Sequence, residues 1–389
     1  MSETIPLFCA DVCPEDVEAV VAAMRSGRIG CGDAVRDFEA SFAARVRRPY
    51  AIGVGSLGTG LRIALTACGI GPGHEVIVPA FGPVVLANAV TFTGARPVFA
   101  DVDPRTLNAQ PATVEPLVSD RTRAIIAHSN FGNPAFIDAL AHLSSKFEIP
   151  LIEHATDALG SMVGKDHAGR FGRLAIFGLP ASGPVCGGDA AVLVTHDDTL
   201  AHACRSLRDA GRPYIDAEDG LPVDVGRLLE HERIGFDSRL DELRASLALS
   251  QLGRLDRTLE ARRAVAEQYV RHLSGNPDLI LPTLPDPQHA SWSNFVVRLG
   301  EQFGVEDRDL IIRGLHRHDI GASNPYPVAP LMPFHACRWN HQPGDFPVAE
   351  RTSQRTIALP CHNQLDDRDI DLVCQTLELM IRRQMFRRG

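Results

Sequence analysis

In the stretch Ile152-Glu-His-Ala-Thr-Asp157 a histidine and an aspartate stand three residues apart. An imidazole titrates near neutral pH, and a carboxylate close by can orient it and balance its charge. His154 and Asp157 are therefore residue types suited to acid/base work such as proton transfer, elimination, cyclisation or epimerisation. Lysine chemistry has only two candidates, because among 39 basic residues the lysines are Lys146 and Lys165 alone. A second concentration of possible ligands runs through His335-Ala-Cys337 and His341, with His316 and His318 upstream. Its spacing matches no standard zinc pattern, so no metal is expected. Nine cysteines, an odd number without C-x-x-C pairs, suggest neither a disulfide framework nor a zinc ribbon. Cys9 and Cys13 carry no clear chemistry, and Cys361-His362 is expected to be structural.

These residues need a scaffold, and 389 residues at 44% hydrophobic content can bury a large core. From Ser56 to Thr195, helical stretches alternate with short apolar runs. These are Glu75–Pro79, Arg96–Ala100, Ala124–Ala127, Pro150–Ile152 and Ala191–Val194. That alternation predicts an α/β fold with a mostly parallel sheet covered on both faces. After Asp237 the leucines at 240, 243, 247, 249, 252 and 255 lead into a charged helical stretch to Leu273, predicting one long linking helix. Strands are expected at Trp292–Leu299 and Thr356–Leu359, with a final helix over Asp366–Arg383. The expected division is a large α/β domain over 1–250 with an N-terminal arm, and a smaller C-terminal α/β domain over 251–389. A net charge of −9 and a pI near 5.9 argue against a nucleic-acid partner. No apolar run reaches the roughly 18 residues of a membrane helix, and the N-terminus does not read as a signal peptide, so a cytoplasmic protein is expected.

Several segments occur together and in order: Ile5-Pro6-Leu7, Arg25-Ser-Gly-Arg28, Gly69-Ile-Gly-Pro-Gly-His-Glu-Val-Ile-Val-Pro-Ala-Phe81, Asp101-Val-Asp-Pro104, Phe131-Gly-Asn-Pro134, Ile152-Glu153, Gly344-Asp-Phe-Pro-Val-Ala-Glu350 and Leu359-Pro360. Over nearly the whole chain this series resembles the DegT/DnrJ/EryC1/StrS sugar aminotransferases. The resemblance implies the type I fold of pyridoxal-phosphate (PLP) transferases, a homodimer, and work on amino sugars carried by nucleotides.

The resemblance also assigns positions. It places His154 where the family has the aspartate that pairs with the pyridine nitrogen of PLP, and Gly183 where it has the lysine that bonds the cofactor. Gly178 takes the place of a phosphate-binding serine, Asp237 that of an asparagine given by the partner subunit, and Pro83 that of a stacking aromatic, with Phe81 as a nearby substitute. Lys165 falls in a hairpin and Lys146 at a helix end, both away from the ring. Ser56-Leu-Gly-Thr59 keeps a helix start suited to an anion.

Read this way, the cleft floor collects His154, Asp157, His128 and Ser182 as catalytic candidates. Ser56, Gly58, Thr59, Phe81, Asn130, Gly183, Cys186, Asp237 and Arg239 are the candidate substrate contacts. The expectation is a chain that binds no PLP and acts by side-chain acid/base catalysis on a sugar or natural-product intermediate. The alternatives are a non-catalytic partner, including a heterodimer with an active paralogue, and an aminotransferase that uses PLP or pyridoxamine phosphate (PMP) without a covalent link.

Overall fold

The computed structural model describes residues 4–213, 230–284 and 289–388. Its main sheet has seven strands: β1 (Tyr50–Val54), β2 (Glu75–Pro79), β3 (Arg96–Ala100), β4 (Thr122–His128), β5 (Leu151–His154), β8 (Leu174–Gly178) and β9 (Ala191–Thr195). A small hairpin of β6 (Met162–Val163) and β7 (Asp166–His167) lies between β5 and β8 in sequence. The spatial order is β1-β9-β8-β5-β4-β2-β3. The pairs β2–β3, β2–β4, β4–β5 and β5–β8 are parallel, while β9 runs antiparallel to both β8 and β1.

Strands buried on both faces read as continuous apolar runs, yet their alternation still decides which core each residue enters. In β8, Leu174 and Ile176 enter one core with Leu61 and Leu65. Ala175 and Phe177 enter the opposite core with Phe38 and Phe42. In β9 the split is Leu193 against Val192 and Val194. Helices Leu57–Ala67 and Asp198–Arg208 cover the first face, and Asp33–Arg45 with Glu242–Leu252 cover the second. The alternation makes Ile152 and His154 share one face of β5 and turns Glu153 to the other.

The single linking helix expected after Asp237 is two helices, Glu242–Leu252 and Leu255–Leu273. They part at Gly253, the residue after proline that least favours a helix interior. The second leads to an antiparallel sheet of β10 (Leu279–Ile280), β11 (Phe295–Leu299) and β12 (Thr356–Leu359), packed against helices Val305–His316 and Asp367–Arg388. The observed β11 starts three residues later than the strand expected from Trp292, because Trp292 sits at φ +46, outside the extended region.

Candidate active site

In parallel sheets, sites form beyond the carboxyl ends of the strands. Here β4 ends at His128, β5 at His154 and β8 at Gly178. His128 and His154 are register partners across the β4–β5 ladder, so their side chains leave the sheet side by side. The ring centroids are 4.7 Å apart and the two Nδ1 atoms 2.8 Å apart. His154 Nε2 lies 3.0 Å from Thr156 Oγ1, which accepts a 2.8 Å bond from the Gly178 N–H. Both imidazoles are buried. Burial, reinforced by the His128 ring, holds His154 well below the usual histidine range. Burial also lowers His128, against the pull of Asp157.

Asp157 does not pair with His154. The strand ends at His154 and the chain turns through a short 3₁₀ segment, Thr156–Ala158, which carries the Asp157 carboxylate to Phe131 and Tyr326. There Oδ2 accepts from the Phe131 N–H at 3.2 Å and from the Tyr326 hydroxyl at 3.0 Å. Tyr326 stacks on Phe131 at 5.4 Å, and burial followed by the Asp157 charge raises its phenol well above the usual range. The carbonyl of Asp157 accepts the hydroxyls of Ser291 and Ser293, the latter at 2.9 Å. Asp157 therefore fastens the cleft floor to the segment before β11.

The start of helix Leu57–Ala67 lies next to this floor. Ser56 caps it, accepting from the Thr59 N–H at 3.3 Å. A Cβ added at Gly178 would lie 3.1 Å from Thr156 Oγ1 and 3.6 Å from Leu57 Cδ2, which brings β8, the histidine floor and the helix start together. Gly58 approaches Val85, and Gly55 approaches Ser238 and Arg244, whose guanidinium donates to the Gly55 carbonyl at 2.8 Å. Outward N–H groups and the helix dipole make such a start receptive to phosphate. Arg239 pairs with Asp209 at 3.3 Å and Asp237 at 3.8 Å, and the Asp237 side chain is 85% exposed.

Ser182, Gly183 and Cys186 lie in the loop between β8 and β9. Its turn closes by a 3.0 Å bond from the Gly183 N–H to the Pro180 carbonyl. The fully buried Arg262 donates to the carbonyls of Ser182 and Gly183 at 3.0 and 2.9 Å. The Cys186 N–H goes to Gln251 at 2.8 Å. These bonds tie the loop to the helices behind it. Phe81 is buried, edge-on to Phe131 and Tyr326, so it offers the cleft no stacking face. Asn130 is likewise buried, donating to the Leu107 carbonyl at 2.7 Å. Lys146 is paired with Glu115 at 2.5 Å on the surface, and Lys165 is exposed between β6 and β7. At the other cluster, His335 Nε2 lies 2.9 Å from Asn88 Oδ1, and His335 and His341 both pack on Phe99.

Sequence reasoning missed Thr156, Tyr326 and Arg262. Thr156 was available from its place two residues after His154, whereas Tyr326 meets Asp157 across 169 residues with no local signal.

This arrangement of strand ends, helix start and returning loop has known counterparts. The description DegT/DnrJ/EryC1/StrS aminotransferase family matches residues 11–378. The chain belongs to this family. SpsC, a spore coat polysaccharide biosynthesis protein of Bacillus subtilis strain 168, is 30% identical over 369 residues, covering 95% of each chain. The solved aminotransferase TlmJ from Streptoalloteichus hindustanus is 29% identical with a TM-score of 0.88, covering 98% of this chain and 100% of its own. The putative sugar aminotransferase Spr1654 from Streptococcus pneumoniae, solved in its PMP-form, shares the fold at a TM-score of 0.89 with 22% identity, covering 97% and 98%.

Membership corrects the expectation of a chain that binds no PLP and works by side-chain catalysis alone. This family and its solved members are PLP-dependent aminotransferases, with Spr1654 seen in both PLP- and PMP-forms. The reading as an inactive partner of an active paralogue is overturned by the same finding. The residues present fit such a cofactor at its phosphate end, where Ser56, Gly58 and Thr59 form a helix start beside Thr156.

Proposed function

We propose that this protein is a sugar aminotransferase of its family that holds PMP or PLP by non-covalent contacts and acts on a keto sugar. The observation that carries this reading is the capped helix start at Ser56–Thr59 set against the Thr156, His154 and Gly178 floor, in a chain of this family whose lysines both lie on the surface. When bound, the cofactor supplies the amino group or the electron sink. Ser56, Gly58 and Thr59 would hold its phosphate, while Thr156 and His154 would present a neutral, dry floor. The loop carrying Ser182 and Gly183, fixed by Arg262, would bound the cleft and exclude water. A second copy of this chain would complete the site near Asp237 and Arg239. The division at residue 250 belongs to the same proposal.

Equilibrium dialysis of the purified protein against PMP and PLP tests this reading. Saturable binding is expected, with no covalent adduct after borohydride treatment. Ser56→Asp keeps a good helix cap but sets a carboxylate against the phosphate, so affinity should fall about tenfold or more. Absence of saturable binding of either compound by the unaltered protein would overturn the proposal.

A further inference from the structure

The buried contacts at the strand ends form a run whose hydrogens can be placed one by one. At one end the Gly178 backbone N–H can only donate, and Thr156 Oγ1 accepts it at 2.8 Å. The one hydroxyl hydrogen of Thr156 is then free for His154 Nε2 at 3.0 Å. With Nε2 bare, a neutral His154 carries its hydrogen on Nδ1, directed at His128 Nδ1 at 2.8 Å. His128 must then carry its own hydrogen on Nε2. At the far end Asn130 spends its amide nitrogen on the Leu107 carbonyl at 2.7 Å, which leaves Oδ1 as an acceptor beside His128. Asn130 Oδ1 and His128 Nε2 are the two buried atoms of this run without a hydrogen-bond partner, and a hydrogen on His128 Nε2 would supply the donor that the Asn130 oxygen lacks. The order derived from Gly178 is thus the one that places a donor, and not a second acceptor, toward Asn130.

The reverse order fails at both ends. A hydrogen on His128 Nδ1 would leave bare nitrogen facing the Asn130 oxygen, and the Thr156 hydrogen would lose its acceptor. The other acceptor within reach of His128 Nδ1, the His154 carbonyl at 3.4 Å, is a far longer contact than the 2.8 Å to His154 Nδ1 and also takes the Ser129 N–H. Among the residues of the run Thr156 keeps the most accessible surface, 9% against 2% for His154 and 4% for His128. With its hydrogen directed at His154, the Thr156 oxygen has only lone-pair density to offer a ligand.

We propose that Thr156 is a specificity-determining residue: with its hydrogen locked onto His154, its oxygen accepts a hydrogen bond from an N–H or O–H group of the cleft ligand and disfavours a bare carbonyl there. His128 and Asn130 are positioning residues that fix this polarity. The ligand's identity as PMP rests on the reading above, while the hydrogen order does not depend on it.

Two-bond ¹⁵N–¹H spectra of the full protein labelled with ¹⁵N-histidine at pH 7.5 read the order directly, with His154→Asn and His128→Asn used for assignment. The expected result is His154 protonated on Nδ1 and His128 on Nε2. A hydrogen on His154 Nε2 would overturn the proposal. In dialysis against PMP, Thr156→Val should raise the dissociation constant about tenfold, while Thr156→Ser stays within about twofold of the parent. Equal losses in both variants, or none in either, would also overturn it. If the parent protein binds no PMP, the functional reading falls, and the histidine spectra still decide the order of hydrogens.

Discussion

The two faces of β5 put adjacent residues to opposite uses. Glu153, on one face, has a buried carboxylate that accepts the N–H groups of Gly169, Phe171 and Gly172 at 2.7, 2.6 and 2.5 Å. Arg48 holds the same loop from beyond, donating to the carbonyls of Gly169 and Gly172 at 2.9 and 2.6 Å. Donors and acceptors of that turn are thus matched by one acid and one base. His154, on the other face, meets a second histidine and a threonine, with no charge in contact. The first face is saturated and serves the fold. The second is a neutral run, the face on which the proposal places the ligand.

The comparison would be broken most severely by removing the acid of the saturated face. Glu153→Ala should leave three buried N–H groups without their acceptor and the Arg48 guanidinium without a nearby carboxylate, a cost of about 3 to 5 kcal/mol in chemical denaturation. A loss under about 1 kcal/mol would refute the structural role. On the other face, His154→Leu removes two neutral contacts and should cost a smaller amount, about 1 to 3 kcal/mol, largely from the stranded Thr156 and His128 groups.

Titration sharpens the contrast because the faces respond with opposite sign. Burial lowers both histidines in the folded state, so below about 6.5 the unfolded chain takes up protons that the folded one refuses. Their contribution therefore falls as pH drops through that value. Asp157 is the charge that acts against this on His128. Burial raises Glu153, against the bonds from Gly172 and Gly169 and the Arg48 charge, so its contribution is greatest below the unfolded carboxylate value and declines as pH rises through the folded one. Urea midpoints between pH 5 and 8 should show a loss on acidification through about 6.5 that flattens in His154→Asn. An unchanged slope in that variant would remove the histidine pair as its source. The smallest effect is expected from Lys146→Ala and Lys165→Ala, which should each shift stability by less than about 0.5 kcal/mol and leave cofactor retention unchanged. Loss of cofactor in either variant would contradict non-covalent holding.

Much of this scaffold was legible. The strands Glu75–Pro79, Arg96–Ala100 and Thr356–Leu359 have the bounds expected from their apolar runs, because β-branched stretches closed by proline, glycine or polar residues leave few alternatives. The family series was legible for the same reason, since its segments mark strand ends and turns. The pairing of His154 was not, because it depends on the β4–β5 register across 26 residues, and the sequence put Asp157 closer. The substitutions at 154, 178, 183, 237 and 83 led to the expectation of no cofactor, and family membership corrects it, because single positions weigh less than a likeness that runs over residues 11–378.

Hydrogen–deuterium exchange with and without PMP would test most directly whether the His154 face is the ligand face. Slower exchange is predicted at residues 56–60, 154–158 and 178–186, with the Gly169–Gly172 turn unchanged because its N–H groups are already held. Slowing confined to the Gly169–Gly172 turn, or no change near Thr156 at saturating PMP, would contradict the division of labour across β5.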